Sequence, residues 1–334
     1  MRLEPALSRL FMGGSVGVEA KACRAWAARC HPQDRQHGLA MPRPSHQDAA
    51  AGRSIEEDTM RPCMTCLAAI LAFSFPIKTN AADFTARHGL TSAQYQAAFN
   101  QYVGQGYRLV GVDGYATPNG TRYAAIWARR GGSPWVARHG LSAGQYQAAF
   151  SQYKAQGYRP VELSATGYGQ GSGNFAVLWD KSPAAWAARH GLTSQQYQSA
   201  FNTYVKQGYR LVDIEGYTTQ GGVVRYAALW LRGQGPAWIA RHGLTPGQYQ
   251  AAFKKAVSQG YRLVKVDGYW TPAGVRYAAT WERRGGGRWV ARHGLTSGQY
   301  QQAFNAYVGQ GYRLVHISGY TDGGQARFAA IWSQ

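Results

Sequence analysis

The chain has 334 residues, with 36 lysines and arginines against 16 aspartates and glutamates, for a net charge of +20. This balance electrostatically favours an anionic partner or surface. All four cysteines (Cys23, Cys30, Cys63 and Cys66) precede residue 83, so the remainder must be stabilised by packing without an internal disulfide.

Residues 1–59 show no sustained hydrophobic period, and their composition predicts disorder. Residues 60–82 read as a secretory signal peptide. Met60-Arg61-Pro62 leads into an apolar run from Met64 to Phe75, and small residues follow at Thr79-Asn80-Ala81-Ala82. The expectation is that Met60 is the true start, that 1–59 is upstream sequence, and that the product is secreted or periplasmic. The Cys63-Met64-Thr65-Cys66 pair has redox or zinc spacing but lies inside the apolar run with no second pair, so it belongs to the leader. No transmembrane segment is expected in the mature chain.

Residues 83–334 are repetitive. An Arg-His-Gly-Leu signature places histidines at 88, 139, 190, 242 and 293, defining units at about 83–130, 135–181, 186–232, 238–284 and 289–334. A fixed period of this size marks a repeat architecture in which each unit buries its apolar face against its neighbours. This region carries 26 basic and 9 acidic residues.

Within the first unit, Thr91 is a good N-cap and Gln94 completes a capping box, with Leu90 and Tyr95 as the hydrophobic staple. Tyr95, Ala98, Phe99, Tyr102 and Val103 form one apolar stripe of a helix, and Gly106 ends it. Pro246, at the first helical position of unit four, sits where proline is tolerated. Tyr107–Tyr115 and Arg122–Trp127, around Thr117-Pro118-Asn119-Gly120, predict a β-hairpin. The Val112 position stays apolar (Leu163, Ile214, Val266, Ile317) and should face the core. Its neighbour varies as Gly111, Glu162, Asp213, Lys265 and His316 and should face solvent. The second strand is apolar or small on both faces, so both should be covered. The fold class is therefore α+β, with five helix–strand–strand units containing ten strands. Unit two departs from the pattern: Pro160 suits a strand edge or start, and its turn is glycine-rich from Gly167 to Gly173.

Little in the repeats points to catalysis. The five histidines have no acidic or cysteine partner at ligand spacing, so the imidazole and guanidinium groups are expected to satisfy backbone groups at the start of each helix. Ser151-Gln152-Tyr153-Lys154 matches a Ser-x-x-Lys nucleophile motif, but no other unit has it and no partner motif follows. Gly169–Gly173 lacks dinucleotide-binding spacing. Aromatic residues interleaved with arginine could serve nucleic-acid binding, although their fixed positions favour packing. No cofactor or metal is expected. The candidate binding residues are the variable set Gly111, Glu162, Asp213, Lys265 and His316.

The repeated pattern Trp-x-Ala-Arg-His-Gly-Leu-Thr, Gln-Tyr-Gln, Gly-Tyr-Arg-Leu-Val, Gly-Tyr and Arg-Tyr-Ala-Ala resembles the tandem structural repeat of bacterial proteins and of the N-terminal region of polyglycine hydrolases. The resemblance covers 83–334. It implies a curved antiparallel sheet, half-barrel-like, decorated by helices. In those hydrolases the chemistry belongs to a β-lactamase-like serine peptidase domain. This chain stops at Ser333-Gln334, just after unit five, so that domain is expected to be absent and no catalytic residue is carried over. The function expected is an exported, non-enzymatic binding scaffold for a macromolecular partner, either an extended peptide or an anionic surface polymer. The alternatives are an accessory or substrate-binding module of a serine peptidase system, and nucleic-acid binding.

Overall fold

The computed structural model describes residues 83–167 and 174–334. Residues 1–82, where the upstream segment and the leader are expected, and most of the glycine-rich turn of unit two lie outside the described residues. The described residues form one compact unit.

The first repeat runs β1 (Phe84–Leu90), α1 (Ser92–Gly104), β2 (Arg108–Thr117) and β3 (Gly120–Ala128). The second comprises β4 (Trp135–Leu141), α2 (Ala143–Ala155), β5 (Arg159–Thr166) and β6 (Asn174–Asp180). The third comprises β7 (Trp186–Leu192), α3 (Ser194–Lys206), β8 (Tyr209–Thr218) and β9 (Val224–Arg232). The fourth comprises β10 (Trp238–Leu244), α4 (Pro246–Ser258), β11 (Arg262–Tyr269) and β12 (Arg276–Glu282). The fifth comprises β13 (Trp289–Leu295), α5 (Ser297–Gly309), β14 (Arg313–Asp322) and β15 (Gln325–Ser333).

Each unit is thus strand–helix–strand–strand, and the described residues hold fifteen strands instead of the expected ten. The added strand is the Arg-His-Gly-Leu segment. Its pairing with the last strand of the unit is broken by an irregularity between Arg87 and Leu90, where Gly89 has φ 72°. A bulge of this kind interrupts the period-two pattern by which a strand is read from sequence. The half-barrel is also replaced. There are five separate three-stranded antiparallel sheets, ordered β1-β3-β2 and equivalently in the other units. Side chains link each unit to the one before it, and unit one is linked in the same way to unit five. His88 bonds Ser297 at 2.9 Å, the Gly319 amide donates to Asp113, and Thr321 donates to the Ala116 carbonyl. The units therefore close a ring, with β2, β5, β8, β11 and β14 innermost.

The helices form as their caps dictate. Thr91, Ser142, Thr193, Thr245 and Thr296 each close a full capping box. At the other end the Tyr107 amide bonds Tyr102 O at 2.9 Å and the Gly106 amide bonds Val103 O at 3.0 Å. This is the doubly bonded C-terminal motif that needs a left-handed residue, and Gly106 supplies it at φ 81°.

The middle strand is covered on both faces, as its composition predicts. Tyr123, Ala125 and Trp127 pack under α1, whereas Ala124 and Ile126 pack into the core of unit five. Every helix–sheet core is completed in this way by the following unit; Ala176 and Leu178 of unit two, for example, enter the core of unit one. Trp127, Trp179, Trp230, Trp281 and Trp332 are fully buried, and their indole N–H groups make no hydrogen bond. An unmet buried donor costs about 1–3 kcal/mol. Burying an indole of this size stabilises by roughly 4–6 kcal/mol, so packing wins.

Trp230→Ala should lower stability by about 3–5 kcal/mol in urea unfolding, through the cavity it leaves. Trp230→Phe should cost clearly less, because the indole N–H has no partner to lose.

Candidate functional site: the ring axis and its junctions

The variable positions expected at a solvated face converge on the ring axis. Gly111, Asp213 and His316 are buried, and Glu162 and Lys265 are largely covered. The alternation inferred from sequence is right, since Val112 and its equivalents do face the core. The opposite face is covered because the ring closes over it, which no single unit reveals. Lys265 bonds Glu162 at 2.6 Å and lies 3.5 Å from Asp213, joining units two, three and four. Burial alone would lower the Lys265 pKa, but Asp213 and Glu162 outweigh it and the ammonium is held charged. Burial lowers His316 to about 3, with Lys265 adding to the effect, so the ring is neutral at pH 7 and its Nε2 meets the Val266 carbonyl at 2.7 Å.

A second inward layer lies two residues further along: Asp113, Ser164, Glu215, Asp267 and Ser318, all buried. Sequence reasoning missed this layer, although the alternation that flags Gly111 also flags it. These side chains reach backward to the preceding unit. Ser164 accepts from the Gly114 amide at 2.8 Å, Asp267 from Gly216 at 2.6 Å, Ser318 from Gly268 at 3.0 Å, and Asp113 from Gly319. Asp213 does the same from the first layer, accepting from Leu163 at 3.0 Å. Glu215 is the exception and makes no such bond among the described residues. Burial pushes Asp113 and Glu162 up to about 7, and it raises Glu215 and Asp267 well above the usual carboxylate range. The cavity beside Asp113, Glu215 and Asp267 has a volume of about 20 Å³. That is room for roughly one water.

The Gly-Tyr pair explains itself at the same junctions. The Tyr115 ring crosses Gly319, Tyr320 crosses Gly268 and Tyr269 crosses Gly216, where a methyl group would overlap the ring. Unit two has Ala165 and Thr166 at these two positions.

The signature histidines are wedges between units. His242 meets Tyr197 and Tyr226 edge-on, with centroids at 4.6 and 5.1 Å, and bonds Ser194 at 3.0 Å. Their partners are side chains of the preceding unit, not backbone groups at the start of their own helix as expected. The adjacent arginines bond their own strand, as in Arg87 to Ala86 O, and sit over a helix tyrosine, as in Arg87 over Tyr102 at 5.5 Å. Ser151 is exposed on α2, and its hydroxyl accepts from Gln147 at 3.4 Å. Among the described residues no group of three or more His, Cys, Asp or Glu side chains is placed to hold a metal. No helix there is long and apolar enough to cross a membrane.

Two features of the exterior remain. An open groove of about 680 Å³ runs between α1 and β4, lined by Phe99, Val103, Trp135 and Arg138. Arginines also clamp the junctions. Arg210 bonds Glu282 at 3.1 Å, Arg108 approaches Asp180 at 3.8 Å, and Arg313 pairs with Asp83 where unit five meets unit one.

These features define a closed tandem-repeat protein whose specific residues mostly bond one unit to the next. A family described as polyglycine hydrolase-like structural repeat matches the chain five times, over 81–130, 132–182, 183–232, 235–284 and 286–334. The chain belongs to that family.

Burial depresses the pKa of all five signature histidines below 6.5. The unfolded chain therefore binds more protons near and below pH 6.5, and the histidine contribution to stability, full above 6.5, is lost as pH falls. The buried carboxylates act oppositely, because their raised pKa values favour the fold at low pH. The histidine part is isolated by comparing wild type with His242→Phe: the stability advantage of wild type should shrink between pH 7 and pH 5 in urea unfolding. Lys265→Met leaves Glu162 and Asp213 without their cation and should cost about 3 kcal/mol at pH 7. The loss should be smaller at pH 4, where Glu162 is protonated.

Proposed function

We propose that the protein is an exported, non-enzymatic scaffold that binds an anionic macromolecule through its outer surface. The observation that carries this reading is the segregation of charge. Asp113, Glu162, Asp213, Glu215 and Asp267 turn into the axis. Asp83, Asp180 and Glu282 are engaged in ion pairs with arginine. Asp322 is the remaining acid of the repeats, whereas 17 of their 26 basic residues are exposed. The surface potential is therefore more positive than the net charge of the repeats suggests, which favours capture of polyanions. The groove along Phe99 and Trp135 supports a second reading, an extended peptide laid between units. Membership in the family also suggests an accessory role beside a separate serine peptidase.

Affinity capture from native envelope and culture fluid, using the full chain in about 0.15 M salt, should recover an anionic polymer that high salt releases. Recovery of a peptide or protein that resists salt would favour the groove. In a broad hydrolase screen, turnover abolished by Ser151→Ala would overturn the non-enzymatic reading.

A further inference from the structure

The positive charge is not spread evenly. Each inner strand begins, and each middle strand finishes, at one end of the ring: Arg108 stands opposite Ala128, and Phe84 also pairs with Ala128. The joins between units leave from that end, and so do the helix C-termini. Arg283, in a join, donates to the Gln259 carbonyl at the end of α4, and the Gly233 amide meets Gly208 O. The joins are cationic, with Arg129, Arg130, Lys181, Arg284 and Arg288 all exposed, together with Arg232 at the end of β9. The opposite end carries the hairpin turns, where Arg122 and Arg276 are turned back onto hairpin carbonyls at 3.2 and 3.1 Å and are only half-exposed.

Several join cations are held in place. Arg129 lies over Tyr107 at 4.8 Å, Lys181 over Tyr158 at 4.8 Å, Arg283 over Tyr261 at 5.0 Å and Arg288 over Tyr312 at 5.9 Å. Stacking holds these cations in place, and although Arg283 also donates to the Gln259 carbonyl and Arg288 Nε to Gln334, their remaining N–H groups can still bond an oxyanion. It also covers those tyrosine faces, so they are not free platforms for a nucleic-acid base. The exposed large apolar side chains of the described residues are four valines, with no aromatic or leucine to anchor in a bilayer. We infer that the join end of the ring is a docking face for a linear acidic polysaccharide, a chain with an oxyanion on successive sugars, gripped by the stacked and exposed cations of successive joins. This inference rests on the proposed binding role and specifies the face and the chemistry.

The test uses the full chain and heparin as probe. The quadruple variant Arg130→Ala, Lys181→Ala, Arg232→Ala and Arg288→Ala is compared with Arg122→Ala, Arg225→Ala, Arg276→Ala and Arg327→Ala, which removes the same charge from the hairpin end. At about 0.15 M salt the first should weaken heparin binding by at least about tenfold and the second by less than about threefold. Thermal unfolding checks that both variants fold. If one does not, lysine acetylation of the wild type decides, since bound heparin should protect Lys181. Equal losses in the two variants, or an unprotected Lys181, would overturn the face while leaving the binding role intact. Tighter binding to a single-stranded oligonucleotide or to phosphatidylglycerol vesicles than to heparin would overturn the choice of partner. No binding to any of these polyanions would remove the binding role itself.

Discussion

The constraint on which this structure depends is the open inner edge of each sheet. A three-stranded sheet has two edges, and the inner strand brings a row of backbone N–H groups to the ring axis without a ladder partner. Leaving several such donors dry would cost more than a domain can spare. Side chains from the next unit meet them instead: Ser164 on Gly114, Asp213 on Leu163, Asp267 on Gly216, Ser318 on Gly268 and Asp113 on Gly319. The acceptors are short because the approach is close. Glu215, one methylene longer than aspartate, stands at the same position and makes no such bond. The acids buried in this basic protein are in large part substitutes for a missing strand.

The histidine and tyrosine contacts run in the same direction, whereas Thr218 and Thr321 reach forward to carbonyls of the following unit. Each histidine wedges against the aromatics of the preceding unit, and Tyr115, Tyr269 and Tyr320 each cross a glycine of the preceding unit; unit two has no tyrosine there, and Tyr217 of unit three meets Ala165 in place of a glycine. Unit one makes the same contacts to unit five, through His88 and Asp113, and these close the ring. The sheets do not merge into one curved surface because side chains, not ladders, bridge them.

Drawing the acids to the axis has an electrostatic consequence outside. Their charge is neutralised by Lys265 or by protonation in the interior, where it no longer offsets the arginines. The joins, rich in glycine and proline and outside the strands, are where a chain can carry exposed arginine at little cost to packing. The interior network and the basic exterior are thus one device.

Much of this protein was determined by local sequence. The caps at Thr91 and its equivalents, the glycine stop at Gly106, the apolar stripe and the hairpin depend on neighbours within a few residues, so one unit contains all the information needed. The middle strand was legible for the same reason, because both of its faces are apolar. The first strand was not, because the bulge at Gly89 breaks its alternation. Only the tertiary structure decided that Gly111, Glu162, Asp213, Lys265 and His316 turn to the ring axis and not to solvent. Their partners lie a full unit or more away, and burial there is a property of closure. A period along the chain records how each unit is made, but the number of units that brings the last back to the first is set by the angle between neighbours, which arises from packing across the junctions.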